Sequence, residues 1–357
     1  MRMDEDLFLF RWEELPSVTE KFPGTGGFIR RQPEDFRVTE LPSYLPQGSG
    51  SHTYVRVRKR VLATRDLVTA LLHQGLHEQE IGVAGLKDKF AVTEQWLSVP
   101  NRHAEALAAL EQLPGVSILE VSRHKNKLGI GHLRGNRFRI VIRDAEAGAA
   151  QRAAAVLAHL KRTGVPNYFG PQRFGRYGTN ALDGLRLLRG ERVPGSRQLK
   201  RFFLSALQSL IFNALLARRI TRGLFDRVVV GDWARKHLTG GTFLVEDESE
   251  AARAQALEIS ATLPLYGRRV RLSTGEAGSL EGRVLERYSL SWQDFGNRRG
   301  DRRLSRLSLG EVELGGSDEA LILTFTLPKG AYATTLLREV MKTAVDEPQL
   351  VSQESNA

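Results

Sequence analysis

The sequence predicts a soluble protein built from two domains that mix α-helices and β-strands. Its 357 residues exceed the size at which a single hydrophobic core usually stops growing, so the chain is expected to divide. Alternating apolar stretches typical of strands recur among stretches with helical periodicity. The composition changes near residue 166, and a basic run at 298–303 follows later. These two changes indicate the boundaries of a second, smaller domain.

The composition narrows the class of protein. Hydrophobic residues make up 41% and charged residues 26%, as in ordinary globular proteins. The chain has no cysteine, which excludes disulfides, thiolate metal ligands and cysteine nucleophiles. Its acidic start lacks the basic and apolar parts of a signal peptide, and no apolar run approaches the roughly 20 residues of a membrane span. We therefore expect a cytoplasmic protein that does not enter a membrane.

The charge balance favours a polyanionic partner. Lysine and arginine number 52 against 41 acids, which gives a formal net charge of +11 and an isoelectric point near 10.1. Nucleic acid is the first candidate partner and an anionic membrane surface the second. A basic protein without such a partner is the alternative.

Periodicity predicts the elements of the first half in order. They are strands at 36–40 and 54–58, a helix whose N-cap is Thr64, a strand within 85–99, a helix at 102–113, a strand around 137–143 and a helix at 145–163. On the strand around 137–143, arginines alternate with apolar residues. The arginine face is either a track for a phosphate backbone or an ordinary solvated face.

The second half begins with an aromatic and basic loop at 166–178, where two prolines exclude a helix interior. Residues 202–220 have the apolar stripe of a core helix, and Arg218 and Arg219 at its end complement the helix dipole. Residues 220–295 predict a smaller α/β unit. A strand at 321–327 and a helix at 334–345 follow, and the polar end of the chain is expected to be disordered.

The sequence contains few candidate catalytic or metal-binding residues. The scattered histidines make no metal constellation, and phosphate-loop and serine-elbow motifs are absent from the sequence. Among the carboxylates, Asp88 stands between Lys87 and Lys89, close to Gly85. Cations on both sides favour the ionised carboxylate that a nucleophile needs. Residue types alone favour a solvent-exposed turn, so this assignment depends on further evidence.

That evidence is a set of motifs in a fixed order. The stretch 85–95, GLKDKFAVTEQ, resembles the signature of the TruD family of tRNA pseudouridine synthases. Four other segments are similar to the same family, namely PEDF at 33–36, LRGNRF at 133–138, PNYFGPQRFG at 166–175 and LPKGAYAT at 327–334. The resemblance thus covers nearly the whole chain.

The resemblance implies a cofactor-free and metal-free isomerase that converts a specific uridine of tRNA, at position 13 in bacterial members, to pseudouridine. It implies an α/β (α+β) protein in which a catalytic domain with a mixed sheet and a smaller inserted domain form a V. Residues 1–165 plus 307–345 would form the catalytic domain, 166–306 the insertion and 346–357 a disordered tail. tRNA is the implied partner, with neither a membrane nor an obligatory protein partner.

The resemblance also implies residue roles. Asp88 matches the catalytic aspartate, which would attack the base, attack the sugar or remove a sugar proton. Phe36, Asn136 and Tyr332 match positions that line the uridine pocket, and Phe138 lies near it unless it belongs to the core. Lys87 and Lys89 would keep Asp88 ionised or bind phosphate.

Two questions stay open at this level. Tyr332 occupies a position that is usually phenylalanine in the family, and we expect the ring to be the functional part. The second question is whether the protein belongs to another functional class. A non-catalytic RNA-binding protein or chaperone is one alternative, because the positive charge and the aromatic loop would suffice for it. A glycosidase-like enzyme is the other, but the sequence shows no second acid to pair with Asp88.

Overall fold

The structure is a computed structural model that describes residues 5–343, so the predicted tail at 346–357 lies outside the described residues. The strands are β1 (Phe36–Pro42), β2 (His52–Arg60), β3 (Gly82–Val83), β4 (Val92–Pro100), β5 (Val116–His124), β6 (Leu133–Arg143), β7 (Val165–Pro166), β8 (Trp233–Lys236), β9 (Thr242–Leu244), β10 (Ile259–Leu265), β11 (Asp301–Leu304), β12 (Arg306–Leu307), β13 (Val312–Ser317) and β14 (Ala320–Pro328). The helices are α1 (Thr64–Leu72), α2 (Ala108–Glu111), α3 (Ala149–Thr163), α4 (Asn180–Leu188), α5 (Arg197–Thr221), α6 (Ala251–Gln255), α7 (Gly275–Arg287) and α8 (Ala333–Met341).

Contacts between residues divide the chain into two compact units. Within the described residues, the first unit contains the chain up to Pro23, Ala155–Leu309 and residues 331–343. The second unit contains Gly24–Ala154 and Gly310–Gly330. The catalytic and inserted domains expected from the sequence, 1–165 plus 307–345 and 166–306, are a functional division and stay a prediction.

The second unit is built on a mixed sheet, as predicted. Its strand order is β13-β14-β6-β1-β4-β2-β5, and β3 pairs with β4. The β1–β4 pair is parallel, whereas the other neighbours are antiparallel. Helices α1 and α2 contribute to the apolar core on one face of the sheet, where β2 and β4 supply Val55, Val57, Leu97 and Val99. The mixed α and β composition is therefore confirmed.

Strand β6 shows the predicted alternation. Phe138 and Ile140 are buried, whereas Arg137 is exposed and pairs with Glu313 at 3.3 Å. Arg143 binds the buried carboxylate of Asp35, with the closest contact at 2.7 Å. These two arginines are thus already paired with carboxylates, which favours the solvated-face interpretation over a phosphate track.

The first unit contains a four-stranded sheet of order β11-β10-β8-β9 and the long helix α5. Helix α5 is long and apolar enough to cross a membrane by length and composition, but 61% of its most apolar window is buried inside the protein. Its side chains at Leu207, Ile211 and Leu215 are fully buried in an extended apolar cluster of this unit. A core helix explains this pattern, as the periodicity predicted.

Several sequence expectations are corrected. Thr64 is the first residue of α1 rather than its N-cap, which is Ala63, and the Thr64 hydroxyl donates to Gln95 Oε1 at 2.8 Å. Arg218 and Arg219 do lie in the last turn of α5, as expected, but Arg219 is only 1% exposed and also pairs with Asp232. The helix expected at 102–113 is mostly a 3-10 helix, Asn101–Leu107, followed by the short α2. Local apolar periodicity does not reveal the Thr64–Gln95 hydrogen bond, because its partners lie 31 residues apart in the chain.

Candidate active site

Asp88 lies in the loop that joins β3 to β4 in the second unit. Its side chain is 32% exposed, so it is neither a buried core acid nor a freely solvated one. The following strand, β4, lies between β1 and β2 in the sheet. The loop is therefore attached to the middle of the sheet, where neighbouring strands can supply partners to the carboxylate.

A buried arginine pairs with the Asp88 carboxylate. Arg30 Nη2 lies 3.3 Å from Asp88 Oδ2, and the Arg30 side chain is only 4% exposed. The Arg30 guanidinium also stacks on the Phe36 ring, with Cζ 4.1 Å from the ring centroid. A guanidinium held against a ring can orient a carboxylate and stabilise its charge.

A second buried cation holds the Asp88 backbone. Lys59 Nζ donates to Asp88 O at 2.9 Å and also to Leu62 O, and the residue is fully buried. Burial lowers the pKa of the Lys59 ammonium to about 8, although the negative charge of Asp88 acts in the opposite direction. Lys59 therefore fixes the backbone of this loop through the carbonyl of Asp88.

The two lysines beside Asp88 in the sequence have different environments. Lys87 Nζ pairs with Glu40 Oε2 at 2.7 Å, and the two side chains are 4% and 1% exposed. The Lys87 N–H also donates to Thr64 Oγ1 at 2.9 Å. Lys89 is exposed. Lys87 thus attaches the loop to β1 and α1, and its ammonium is directed at Glu40.

Phe36, Phe138 and Asn136 lie on one face of neighbouring strands. In the β1–β6 ladder, Val38 is opposite Phe138 and Glu40 is opposite Asn136. The rings of Phe36 and Phe138 meet edge to face at 6.2 Å, and both residues are buried. Asn136 is half-buried, and its Oδ1 is buried without a hydrogen-bond partner among the described residues. The structure brings these three predicted residues together and leaves one amide acceptor unused.

Gly135 sets the position of Asn136. A Cβ atom at Gly135 would lie 2.1 Å from Leu327 O, a distance that no side chain tolerates. The glycine therefore permits β6 to pair closely with β14 at the point where Leu327 is opposite Asn136.

Tyr332 belongs to the first unit, where it is the N-cap residue of α8. Its ring meets the Phe169 ring edge to face at 6.0 Å. A Cβ at Gly170 would lie 3.4 Å from the Tyr332 ring and 2.9 Å from Thr334 Oγ1. The aromatic motif at 166–175 thus packs on the start of α8 inside this unit, and the buried Phe169 and Phe174 are core residues there.

Sequence reasoning missed Arg30 and Lys59. Both were visible as basic residues, in the pair Arg30-Arg31 and in the alternating strand β2, but nothing in their local spacing separates them from other arginines and lysines. Among the described residues, no group of three or more histidines or acids is placed to hold a metal ion.

Comparisons with known proteins agree on one family. The family described as tRNA pseudouridine synthase D (TruD) matches residues 15–193 and 195–340. A tRNA pseudouridine synthase D of Thermus thermophilus is 52% identical over 335 residues, which cover 94% of each chain. That of Anaeromyxobacter dehalogenans 2CP-1 is 46% identical over 348 residues, which cover 94% of this chain and 99% of the relative.

A solved structure shows the same likeness in three dimensions. The putative tRNA pseudouridine synthase D of Methanosarcina mazei superimposes with a TM-score of 0.71 at 25% identity, over 96% of this chain and 99% of that chain. The match thus includes both compact units and both parts of the sequence that carry Asp88 and Tyr332. This chain belongs to the TruD family of tRNA pseudouridine synthases.

Proposed function

We propose that this protein isomerises the uridine at position 13 of tRNA to pseudouridine, with Asp88 as the reacting carboxylate. Membership of the family supports the reaction and the tRNA substrate. The observation that carries the assignment of Asp88 is its geometry, because a partly exposed carboxylate is held by the buried Arg30 and its backbone by the buried Lys59. We infer that the reaction takes place in the cytoplasm.

The reaction changes bonds but not composition. The N1–C1′ bond of the uridine breaks, the uracil turns, C5 bonds to C1′, and the proton on C5 leaves while N1 gains a proton. A carboxylate can begin this sequence by adding to the base, by adding to C1′ or by removing the proton from C2′. In each case its charge must be available, and the Arg30 guanidinium stabilises that charge.

The neighbouring residues support a pocket for a flipped base. Taking a base out of a folded RNA costs a few kcal/mol, and stacking on an aromatic ring returns about 1–3 kcal/mol. We propose Phe36 and Phe138 as aromatic residues of this pocket, and Tyr332 as a further aromatic residue that contacts the substrate. The unused Oδ1 of Asn136 would accept the uracil N3–H, and its amide would donate to a uracil oxygen.

The role of Lys87 towards RNA stays a prediction. Its ammonium is paired with Glu40 and almost fully buried, so the contacts indicate that Lys87 positions the Asp88 loop.

We propose that the substrate contacts the ring of Tyr332 and does not need its hydroxyl. The Tyr332→Phe variant should therefore keep most of the turnover, whereas loss of most turnover would assign the function to the hydroxyl.

The decisive experiment mixes the purified protein with an unmodified tRNA transcript, without added metal or nucleotide, and maps pseudouridine chemically. We expect product at position 13. Asp88→Asn should lower turnover by about 10²–10⁴-fold or more, and it should leave the dissociation constant for tRNA unchanged. Asp144→Asn is the matched control, because Asp144 is 65% exposed and pairs with the surface residue Arg31; it should behave as the wild type.

Two results would contradict the proposal. Binding without product would favour a non-catalytic RNA-binding protein, and product from Asp88→Asn would remove Asp88 from the mechanism. Deuterium at C2′ separates removal of the sugar proton from the two addition routes, because only that removal gives a primary isotope effect. An ester between Asp88 and the RNA would instead indicate addition to the base or the sugar.

A further inference from the structure

The first unit contains a cavity lined by arginines, which the proposed chemistry does not use. The cavity measures about 670 Å³ and lies beside the sheet β11-β10-β8-β9. The arginines of its lining that matter here are Arg235, Arg269, Arg271, Arg298 and Arg299. Its volume lies within the range of pockets that hold ligands of nucleotide size.

Two backbone loops build the rim of this cavity. The Arg268 N–H donates to Arg298 O at 3.0 Å, and the Arg269 N–H donates to Arg299 O at 2.8 Å. The loops can approach because Gly267 and Gly300 face each other: a Cβ at Gly267 would lie 2.4 Å from Gly300 N. Gly300 also has φ +76°, which other residues rarely adopt. The fold thus holds two arginine pairs side by side on a rigid frame.

Asp301 also lines the cavity, but among the described residues it forms no ion pair with any of these five arginines. Within residues 5–343, none of the five has a carboxylate oxygen within 4.0 Å of its side-chain nitrogens, whereas Arg302 beneath them pairs with Glu281 at 2.8 Å. The Nε atoms of Arg235 and Arg298 are buried without a hydrogen-bond partner among the described residues. Burial, and then the neighbouring Arg201, lower the pKa of the Arg298 guanidinium. The positive charges of Arg298 and Arg201 repel each other, and a bound anion would relieve that repulsion.

An adjoining cavity extends the same surface. It measures about 580 Å³, shares Arg298, and is lined by Arg197, Lys200 and Arg201 from the start of α5. The first turn of α5 contains no acidic residue. Cations at the N-terminus of a helix are slightly disfavoured by its dipole, whereas an anion bound beside them would be stabilised by both the dipole and the cations.

We propose that this arginine surface, defined by residues 235, 269, 271, 298 and 299 with 197, 200 and 201, binds phosphodiester groups of the tRNA substrate. The identity of the RNA rests on the proposed function; the preference for phosphate rests on the unpaired arginines. Arginine suits this ligand because its planar fork donates two parallel hydrogen bonds to phosphate oxygens. The surface would supply affinity for tRNA and would take no part in the bond changes.

The test compares two double variants that remove the same charge. R269Q/R299Q removes two exposed arginines of the rim. The control, R222Q/R227Q, removes two exposed arginines of the same unit that do not line either cavity. For each protein, the dissociation constant for an unmodified tRNA transcript is measured against salt concentration, together with kcat and KM for pseudouridine formation.

We expect R269Q/R299Q to weaken tRNA binding by about tenfold or more near 0.1 M salt. The slope of log K against log salt should fall by about one to two, since each lost phosphate contact removes roughly 0.7–0.9. KM should rise while kcat at saturating tRNA stays within about twofold, because the surface binds RNA without touching the reacting atoms. The control should keep both the wild-type slope and the wild-type KM.

Equal slopes for the two double variants would overturn the proposal. A separate titration with uridine 5′-monophosphate distinguishes a mononucleotide site: tight binding that R269Q/R299Q abolishes, with tRNA affinity unchanged, would also overturn it. If the slope changes as expected but no protein makes pseudouridine, the proposed function fails while the phosphate surface stands. If pseudouridine forms but R269Q/R299Q leaves the salt slope unchanged, the proposed function stands and the phosphate-binding surface fails.

Discussion

At the scale of residues, two buried cations from distant parts of the chain contact Asp88. Arg30 contacts its carboxylate, Lys59 contacts its backbone carbonyl, and Phe36 supports the Arg30 guanidinium. A carboxylate held in this way loses little orientation freedom when substrate binds. Such pre-organisation favours reaction over simple binding.

Removing the Arg30 charge should affect turnover more than binding. A hydrogen bond between charged groups contributes about 1.5–3 kcal/mol, so we expect Arg30→Gln to lower kcat by about 10- to 100-fold. Arg30→Lys should recover part of that loss, because lysine restores the positive charge but not the two parallel N–H donors of the guanidinium. The measurement is kcat at saturating tRNA, with the melting temperature recorded for each variant.

Arg31→Gln is the matched control for Arg30. Arg31 is the next residue, is 54% exposed and pairs with Asp144 at the surface. Its variant should keep kcat within about twofold, since exposed ion pairs contribute little. Equal kcat losses in the Arg30 and Arg31 variants would show that Arg30 has no special role at Asp88.

Lys59 should give the protein a distinctive pH dependence of stability. Its pKa is about 8 in the fold and 10.5 in an ordinary environment, so between these values the unfolded chain binds the extra proton. The free energy of unfolding should therefore rise with pH across this window, by on the order of 3 kcal/mol from this group. Below pH 8 the cost of the buried ammonium is fully present.

The variant Lys59→Met isolates this contribution. Urea denaturation of both proteins is followed from pH 7 to 10.5, and the difference in the free energy of unfolding is plotted against pH. We expect the wild type to gain relative to the variant above pH 8, because other groups titrate alike in both proteins. A difference that stays flat would mean that the folded pKa of Lys59 is not lowered.

At the scale of elements, the parallel pairing of β1 with β4 organises the site. It places Val38 beside Thr93 and brings the loop before β4 next to the start of β1. Strand β6 then lies on the other side of β1 and places Asn136 opposite Glu40, the partner of Lys87. The Lys87–Glu40 ion pair and the β1–β6 strand pairing thus connect the Asp88 loop to the strand that carries Asn136.

The β6–β14 pair should be sensitive to a single methyl group. Gly135→Ala would place a Cβ 2.1 Å from Leu327 O, so the strands must separate where Asn136 is held. We expect a loss of about 3 kcal/mol in the free energy of unfolding, at the upper end of overpacking effects, and reduced turnover. Urea denaturation and the pseudouridine assay measure the two effects.

Gly315→Ala is the control in the same sheet. Gly315 lies in β13, and no atom lies within 4 Å of a Cβ built there. Its variant should change stability by less than about 1 kcal/mol, apart from a small difference in strand propensity. Similar losses in the two variants would show that backbone entropy, rather than the close approach of β6 and β14, explains the effect.

At the scale of the whole molecule, each compact unit has its own buried charges. In the first unit Arg219 and Asp232 are each 1% exposed and are joined by two contacts of 3.0 Å. Arg219 also donates to Arg227 O at 2.9 Å, and Asp232 accepts from the Val229 N–H at 2.9 Å. This pair connects the end of α5 to the turn before β8.

Breaking that pair should destabilise the first unit strongly. Asp232→Ala leaves a buried guanidinium without a counter-charge, which costs about 3–5 kcal/mol. The double variant R219M/D232A should lose less than the single one, because no charge then stays buried without a partner. Urea denaturation of the three proteins tests this order, and a double variant at least as unstable as D232A would contradict it.

What the sequence determined by itself was local. The ordered motifs around 33–36, 85–95, 133–138, 166–175 and 327–334 identified the family and singled out Asp88, Phe36, Asn136, Phe138 and Tyr332. Apolar periodicity predicted β1, β2, β6, β14 and α5, since each buries a regular stripe. The exposed edge strand β5 and the short strand β13 were missed, because their burial patterns are irregular or mostly exposed.

Only the tertiary structure decided which distant charges meet. Arg30 is 58 residues from Asp88 in the chain, and sheet order rather than spacing brings them together. In the same way, the glycines at 267 and 300 place two arginine pairs side by side that the sequence separates by a helix and a loop. Spacing along a chain reports which side chains share a face of one element, whereas the partner of a buried charge is selected by how elements pack.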